Sequence, residues 1–137
     1  MQLWNFRSLL EWCSDYLSNR TQRVVIEGYC ARRLNIPSGV PQGSILGPLF
    51  FVIFISNLPE VVSVGNTLAI YADDCKAFSV KSCPNDQLMF QEDLDRLCIW
   101  SDQNRMDFSV KKCKLMRITM KKQPFVSNFT FKDSALD

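Results

Sequence analysis

The stretch that most constrains this chain is an acidic pair set between two short β-forming runs. Residues 67–80 read Thr-Leu-Ala-Ile-Tyr-Ala-Asp-Asp-Cys-Lys-Ala-Phe-Ser-Val, with Asp73 and Asp74 at the centre. Apolar runs on both sides of a polar tip predict a β-hairpin that carries both acids at its turn. The hairpin would therefore hold two carboxylates side by side.

Two interpretations of the pair stay open on these residues alone. Neighbouring carboxylates repel each other, so a fold that fixes them together usually needs cations to balance the charge. Mg²⁺ suits such a pair, because it binds one or two protein carboxylates and takes its other ligands from water and phosphate. The alternative is that Asp73 and Asp74 are simply favourable turn residues.

The composition indicates one soluble globular domain. The chain has 137 residues, of which 47% are hydrophobic and 22% charged, and this length gives one domain with a real core. The net charge of +2 is too small to indicate nucleic acid by itself. A basic strip at residues 111–122 could follow a phosphate backbone or blunt a solvated strand edge. Its members are Lys111, Lys112, Lys114, Arg117, Lys121 and Lys122.

Several classes of protein are excluded or disfavoured. The six cysteines include no Cys-x-x-Cys pair and the chain has no histidine, so we expect free thiols rather than a zinc site. The lack of histidine also excludes Ser-His and Cys-His nucleophilic catalysis. No secretory signal or transmembrane segment is visible, since the most apolar run, Ile45–Ile55, is shorter than a membrane helix.

The first third of the chain predicts a helix, a hairpin and a glycine-proline loop. Apolar residues recur at three- and four-residue steps over most of residues 2–18, which indicates an amphipathic helix. Residues 23–27 and 30–36 predict a short hairpin around Gly28. Residues 37–48 are rich in glycine and proline and precede an apolar run. We expect a tight loop capped by Ser44 that opens a core helix, with free N–H groups able to meet an anion.

The chain after the acidic hairpin predicts a second helix and further strands. A helix begins near Pro84 and has Phe90, Leu94, Leu97 and Cys98 on one face, with an i,i+4 pair between Glu92 and Arg96. Residues 104–109 predict a loop and Cys113–Met120 a strand. Residues 124–137, with Phe125, Phe129 and Phe131, favour another strand.

Several motifs together resemble the reverse transcriptase of non-LTR (LINE-type) retrotransposons. The resemblance is carried by Ser38-Gly-Val-Pro-Gln-Gly-Ser-Ile-Leu-Gly-Pro-Leu-Phe-Phe51 followed by Tyr71-Ala-Asp-Asp74. It continues in Tyr16–Val24 before this pair of motifs and in Asp93–Trp100 and Lys112–Met116 after it. The motifs stand in the order of that family and cover nearly the whole chain.

The resemblance implies a partial palm domain over residues 1–137. The implied fold is α+β, an antiparallel sheet with helices packed on one face, incomplete at its N-terminal side. Its parts would be residues 1–36 (helix and hairpin), 37–83 (nucleotide loop, core helix and Asp-Asp hairpin) and 84–137 (helix, lysine motif and terminal strands). The implied reaction is RNA-directed DNA synthesis, in which two metal ions assist attack of a primer hydroxyl on a nucleoside triphosphate.

The same resemblance implies roles for six residues. Asp73 would be the principal ligand of Mg²⁺, or of Mn²⁺ in its place, with Asp74 as a weaker partner. Gln42 and Gly43 would line the nucleotide side of the site, and Tyr71 would lie by the primer terminus. Lys112 would protonate the departing pyrophosphate, although a solvated lysine is the alternative. The implied partners are an RNA template, a DNA primer and deoxynucleoside triphosphates.

The chain departs from the family in ways that shape our expectations. The family site needs one more aspartate, from a strand before the first helix, and that residue lies outside this chain. We therefore expect a fragment that is inactive alone, with an unpaired sheet edge that invites self-association. The alternative is a non-catalytic nucleic-acid-binding remnant that uses the basic strip. We expect an intracellular protein of the nucleus or cytoplasm, without contact to a membrane.

Overall fold

The structure is a computed structural model that describes residues 6–123 and 128–136 and divides the chain into two compact units, residues 1–54 and 55–137. Helices and antiparallel strand pairs occur together, so the predicted α+β class is confirmed. The helices are α1 (Phe6–Leu17), α2 (Leu46–Ile55) and α3 (Pro84–Asn104). The strands are β1 (Thr21–Gln22), β2 (Val25–Ile26), β3 (Tyr29–Cys30), β4 (Leu34–Asn35), β5 (Asn66–Tyr71), β6 (Asp74–Ser79), β7 (Thr130–Phe131) and β8 (Ser134–Ala135).

The first unit contains the predicted first helix and hairpin. Helix α1 covers the described part of the apolar stripe, and its Tyr16 ring lies 5.7 Å from that of Phe50 in α2. The hairpin forms two short ladders, β2 with β3 and β1 with β4. Its turn residues Glu27 and Gly28 both have positive φ, which is the signature of a type I′ connection.

The core helix begins where its cap predicts. The Ser44 hydroxyl accepts a hydrogen bond from the backbone N–H of Gly47 at 2.9 Å, so it satisfies one of the free donors at the start of α2. The helix ends at Ile55, and a short 3-10 helix, Leu58–Val61, follows with Pro59 in its first turn. The expected end near Asn57 is thus confirmed.

The second unit contains the buried apolar side chains. Along α3 they recur at helical spacing and meet the 3-10 helix, strand β5 and the C-terminal hairpin. Among the described residues the buried apolar side chains are Ile55, Leu58, Leu68, Phe90, Leu94, Leu97, Trp100, Phe129 and Phe131. The predicted pair between Glu92 and Arg96 is present at 3.7 Å.

The C-terminal hairpin β7–β8 is fastened to α3 by polar and aromatic contacts. The Gln91 amide both donates to the carbonyl of Thr130 and accepts from its N–H, each at 2.9 Å. The side-chain amide of Gln91 thus satisfies the N–H and C=O groups of Thr130, as a neighbouring strand would. Lys132 in the turn adds an ion pair with Asp107 at 2.8 Å. The strand expected near the C-terminus is therefore confirmed at Thr130–Phe131, while Phe125 lies outside the described residues.

One structural expectation is wrong for the part of the chain that is described. The strand over Cys113–Met120 is absent: a 3-10 turn, Val110–Lys112, leads into a segment with no ladder. Its Met116, Ile118 and Met120 are exposed. A strand needs a neighbour to satisfy its backbone groups, and this segment finds none among the described residues. The named antiparallel strands form four two-stranded ladders.

Two further observations concern the cysteines and the helices of the described chain. All six cysteines are free thiols. None of the described helices combines the length and the apolar character needed to cross a membrane.

Candidate functional site

The acidic pair lies at the tip of a regular hairpin, as the sequence predicts. Strands β5 and β6 pair over six residues each, and the last pair before the turn joins Tyr71 to Asp74. Only Ala72 and Asp73 connect the strands. Ala72 has a φ of 52°, a conformation that costs an alanine about 1 kcal/mol or more and persists where the ladder enforces it. The tip is therefore held tightly from both sides.

The two faces of this hairpin differ in exposure. Alternation places one set of side chains toward the interior, with Leu68 buried and its neighbours half-buried, and the other set in solvent. The outer set forms what we call the open face: Thr67, Ala69, Tyr71, Asp74, Lys76 and Phe78. Register pairs on this face join Tyr71 with Asp74, Ala69 with Lys76, and Thr67 with Phe78. Tyr71 is 85% exposed, so its ring is available to a ligand.

Both carboxylates are accessible and uncommitted within the described residues. Asp73 and Asp74 are exposed, and neither forms an ion pair or a side-chain hydrogen bond with another described residue. The described residues hold no cluster of three or more His, Cys, Asp or Glu side chains that could bind a metal ion by itself. The hairpin can thus offer two carboxylates toward a cation, with further ligands needed from elsewhere.

The neighbouring thiol helps to define which cation fits. Burial raises the pKa of the half-buried Cys75 thiol, and the charges of Asp74 and Asp73 raise it further. Cys75 is also half-buried and alternates to the other face of β6 from Asp74, so its sulfur is not presented beside that carboxylate. The available donor set is oxygen only, which suits Mg²⁺ or Mn²⁺ rather than a thiophilic metal.

The glycine-proline loop of the first unit is fixed by hydrogen bonds that side chains donate to its backbone carbonyls. The Arg20 guanidinium donates to the carbonyl of Ser38 at 3.3 Å and also to that of Gly39. The Ser44 hydroxyl donates to the carbonyl of Pro41 at 2.8 Å. Between these points Gln42 and Gly43 form an exposed turn, and Gly43 has a φ of 76° that favours glycine. The loop is therefore built to present these two residues.

Lys112 belongs to the basic strip and is the last residue of the 3-10 turn Val110–Lys112. Its backbone N–H donates to the carbonyl of Ser109 at 2.9 Å, and its side chain is exposed. No ion pair joins it to another described residue. The ammonium group is therefore free to meet a phosphate.

The six predicted site residues fall into three groups. Tyr71, Asp73 and Asp74 come together on the acidic hairpin. Gln42 and Gly43 belong to the first unit, and Lys112 to a separate segment of the second. The role of each residue stays a prediction.

The most buried acid of the described chain, Asp93, is not among the six predicted site residues. Asp93 of α3 is 1% exposed and accepts hydrogen bonds from Ser63, Asn66 and Arg96. A signal was present: Asp93 stands in the apolar stripe of α3, three residues after Phe90 and four before Leu97. An acid at a core-facing position of a helix indicates a buried polar network.

Comparison with known proteins identifies the sequences that this chain resembles. The family model described as reverse transcriptase (RNA-dependent DNA polymerase) matches residues 1–130. The RNA-directed DNA polymerase from mobile element jockey of Drosophila melanogaster is 33% identical over 106 residues, which is 72% of this chain and 12% of the relative. The jockey polymerase of Drosophila funebris is 30% identical over 120 residues, 81% of this chain and 13% of the relative.

A third relative has the same kind of description. The probable RNA-directed DNA polymerase from transposon X-element of Drosophila melanogaster is 28% identical over 113 residues, or 80% of this chain and 12% of the relative. The chain thus spans about one eighth of the length of these relatives. No solved structure matches it.

Proposed function

Because this chain belongs to the reverse transcriptase (RNA-dependent DNA polymerase) family, we propose that it supplies the acidic hairpin and the nucleotide loop of an RNA-directed DNA polymerase site. The observation that carries this proposal is the hairpin tip. It offers two exposed carboxylates, uncommitted within the described residues, beside an exposed tyrosine.

The oxygen donors of Asp73 and Asp74 fit a hard divalent cation, and Mg²⁺ is the one that we propose, with Mn²⁺ able to replace it. Such ions, when bound in a pair, lower the pKa of an attacking hydroxyl and balance charge on the leaving oxygens. The residues of this chain would do the positioning. Tyr71 would hold the end of the primer, and Gln42 with Gly43 would present backbone groups to the incoming nucleotide.

Lys112 would supply the proton that pyrophosphate needs as it leaves. An ammonium group at the leaving oxygens stabilises developing charge and can donate a proton in the same step. This assignment needs no histidine, in agreement with the composition. The proposed partners are an RNA template, a DNA primer and deoxynucleoside triphosphates, and the proposed location is inside the cell. The unpaired edges of the β5–β6 ladder among the described residues support the prediction of self-association.

The metal-binding part of the proposal can be tested on this chain by paramagnetic relaxation. Titrating Mn²⁺ into ¹⁵N-labelled protein should broaden the amide signals of residues 72–75 first. Asp73→Asn should weaken binding by about tenfold or more, because a charge-assisted contact is worth about 1.5–3 kcal/mol. The isolated chain should show little or no primer extension, because the acidic hairpin offers two carboxylates and the described residues bring no third acidic side chain to them.

Glu60→Gln is the matched control, because Glu60 is also an exposed acid of the second unit. It should leave the Mn²⁺ titration unchanged. Broadening that ignores the hairpin, or that is the same in Asp73→Asn, would contradict the proposed site. Robust primer extension that Asp73→Asn abolishes would instead contradict the expected need for a further aspartate.

The open face of the hairpin predicts a contact with the nucleic acid strand. Lys76 is exposed there between Tyr71 and Phe78, and the small Ala69 stands opposite it. A cation among exposed aromatic rings suits single-stranded nucleic acid, whose phosphates and bases it can meet together. For a labelled primer–template, Lys76→Gln should reduce the slope of log K against log salt by about 0.7–0.9, the value for one phosphate contact.

Lys114→Gln, in the basic strip, is the comparison variant. A change confined to Lys76→Gln would support the open face as the nucleic-acid contact. A change confined to Lys114→Gln would favour the alternative function, in which the strip alone binds phosphate. Affinity that does not fall with salt would exclude phosphate contacts at either place.

A further inference from the structure

The buried carboxylate of Asp93 is saturated with hydrogen bonds. One oxygen accepts from the backbone N–H of Ser63 at 2.9 Å, from its hydroxyl at 2.8 Å and from the Arg96 guanidinium at 2.8 Å. The other oxygen accepts from the side-chain amide of Asn66 at 2.6 Å. A buried charge is costly unless it is paired and hydrogen-bonded, and here both conditions are met.

These partners lie at the base of the acidic hairpin. Asn66 is the first residue of β5, and its backbone N–H closes a turn on the carbonyl of Ser63 at 3.1 Å. Gly65 makes the turn possible with a φ of 100°. Asp93 therefore holds both ends of the turn from which β5 departs toward Tyr71 and Asp73.

The rest of the hairpin has little apolar contact to fix its direction. Leu68, at 8% exposure, is the one buried residue of the described strands β5 and β6. The far end of β6 is held two residues later, where the Lys81 ammonium lies 4.6 Å from the ring of Phe90 and donates to the carbonyl of Asp86. The hairpin is thus attached to α3 at its base, by Asp93 on one strand and by the Lys81 contacts beyond the other.

We propose that Asp93 is a positioning residue for the polymerase site, because its grip on Ser63 and Asn66 sets the direction in which the hairpin carries Asp73 and Asp74. This inference rests on the proposed function. Six residues of strand extend about 20 Å, so a rotation of about 3° at the base moves the tip by about 1 Å. A displacement of that size costs catalytic sites as much as about 100-fold in rate.

Asn66→Ala tests the proposal without stranding the buried charge, because Ser63 and Arg96 still donate to Asp93. In the unmodified chain, one alignment tensor should describe the residual dipolar couplings of α3 and of the amides in residues 66–79. In Asn66→Ala we expect the tensor determined from α3 to fail for residues 66–79, while the couplings within α3 stay unchanged. Mn²⁺ should still bind the hairpin tip, because Asp73 and Asp74 turn together with the hairpin and keep their own spacing. Glu92→Gln, which removes only the exposed partner of Arg96, should leave both sets of couplings unchanged.

A reciprocal exchange separates positioning from general stability. Asp93→Asn should disturb the couplings of the hairpin, and the double variant Asp93→Asn/Asn66→Asp should restore them, because the amide and the carboxylate then face each other in reversed order. Failure of this rescue, or unchanged hairpin couplings in Asn66→Ala, would overturn the proposal. If the unmodified chain binds no Mn²⁺ at Asp73, the proposed metal site fails, while the couplings still decide the role of Asp93.

Discussion

Replacing Phe129 by alanine is expected to lower the free energy of unfolding of the second unit by about 3–5 kcal/mol. Phe129 is 3% exposed, and its ring meets that of Phe90 edge-on, with centroids 5.2 Å apart. The substitution removes buried apolar surface and leaves a cavity where α3 meets the C-terminal hairpin. Chemical denaturation followed by circular dichroism measures the loss.

Phe129→Leu is the matched control, because it keeps most of the apolar volume and should cost far less. A loss below about 1 kcal/mol for Phe129→Ala would mean that the hairpin β7–β8 contributes little to the core. A second measurement is amide hydrogen exchange at Thr130, whose N–H is hydrogen-bonded to Gln91. Those hydrogen bonds do not need the Phe129 ring. Fast exchange at Thr130 in Phe129→Ala would therefore show that the hairpin β7–β8 has detached from α3.

The same substitution should alter Lys81, which links this core to the acidic hairpin. The Lys81 ammonium lies 5.2 Å from the Phe129 ring. Burial lowers the pKa of Lys81, and the nearby charges of Asp86 and Asp93 only partly oppose that effect. Opening the site to water in Phe129→Ala should therefore move the pKa of Lys81 back toward its usual value.

The acidic hairpin could be predicted because its signal is local. Two apolar runs on either side of a short polar stretch predict a hairpin, and the observed ladder joins Asn66–Tyr71 to Asp74–Ser79 around that stretch. The cap of α2 could be predicted for the same reason, since Ser44 and Gly47 are three residues apart. Features that depend on neighbours in the chain are thus the ones that the sequence reveals.

The strand expected at Cys113–Met120 could not be decided in this way. Apolar and polar residues do alternate along this segment, but a strand forms only if another segment pairs with it. The described residues offer that segment no partner, so its backbone stays outside any ladder. A pattern in one segment cannot specify whether its neighbour is present.

The role of Asp93 was hidden by distance along the chain. Its partners Ser63 and Asn66 lie 30 and 27 residues away, and each is an ordinary turn residue when taken alone. The stripe of α3 could have indicated that the acid is buried, but not what it binds. The same applies to Gln91, whose amide pairs with a backbone 39 residues further on.

Replacing Gly47 by alanine is expected to destabilise the first unit by about 1–3 kcal/mol, the usual cost of overpacking. Helix propensity alone would predict the opposite, a gain of about 1 kcal/mol. A Cβ atom at Gly47, however, would lie 3.1 Å from the carbonyl oxygen of Pro41 and 3.1 Å from the hydroxyl of Ser44. Those two atoms are hydrogen-bonded to each other at 2.8 Å, and the Ser44 hydroxyl also accepts from the N–H of Gly47. Moving either atom away from the new Cβ would therefore disturb the hydrogen bonds at the start of α2.

A double-mutant cycle shows whether this locked contact is the cause. Ser44→Ala by itself should cost about 1 kcal/mol as a lost cap, and in its background Gly47→Ala should cost less than it does alone, because one obstacle has gone. Amide hydrogen exchange in α2 measures each step. If Gly47→Ala costs the same stability with and without the Ser44 hydroxyl, that hydroxyl is not the obstacle. If Gly47→Ala instead stabilises the chain, the loop can move away from the new Cβ atom. In the second case, the turn that presents Gln42 and Gly43 would be softer than its hydrogen bonds indicate.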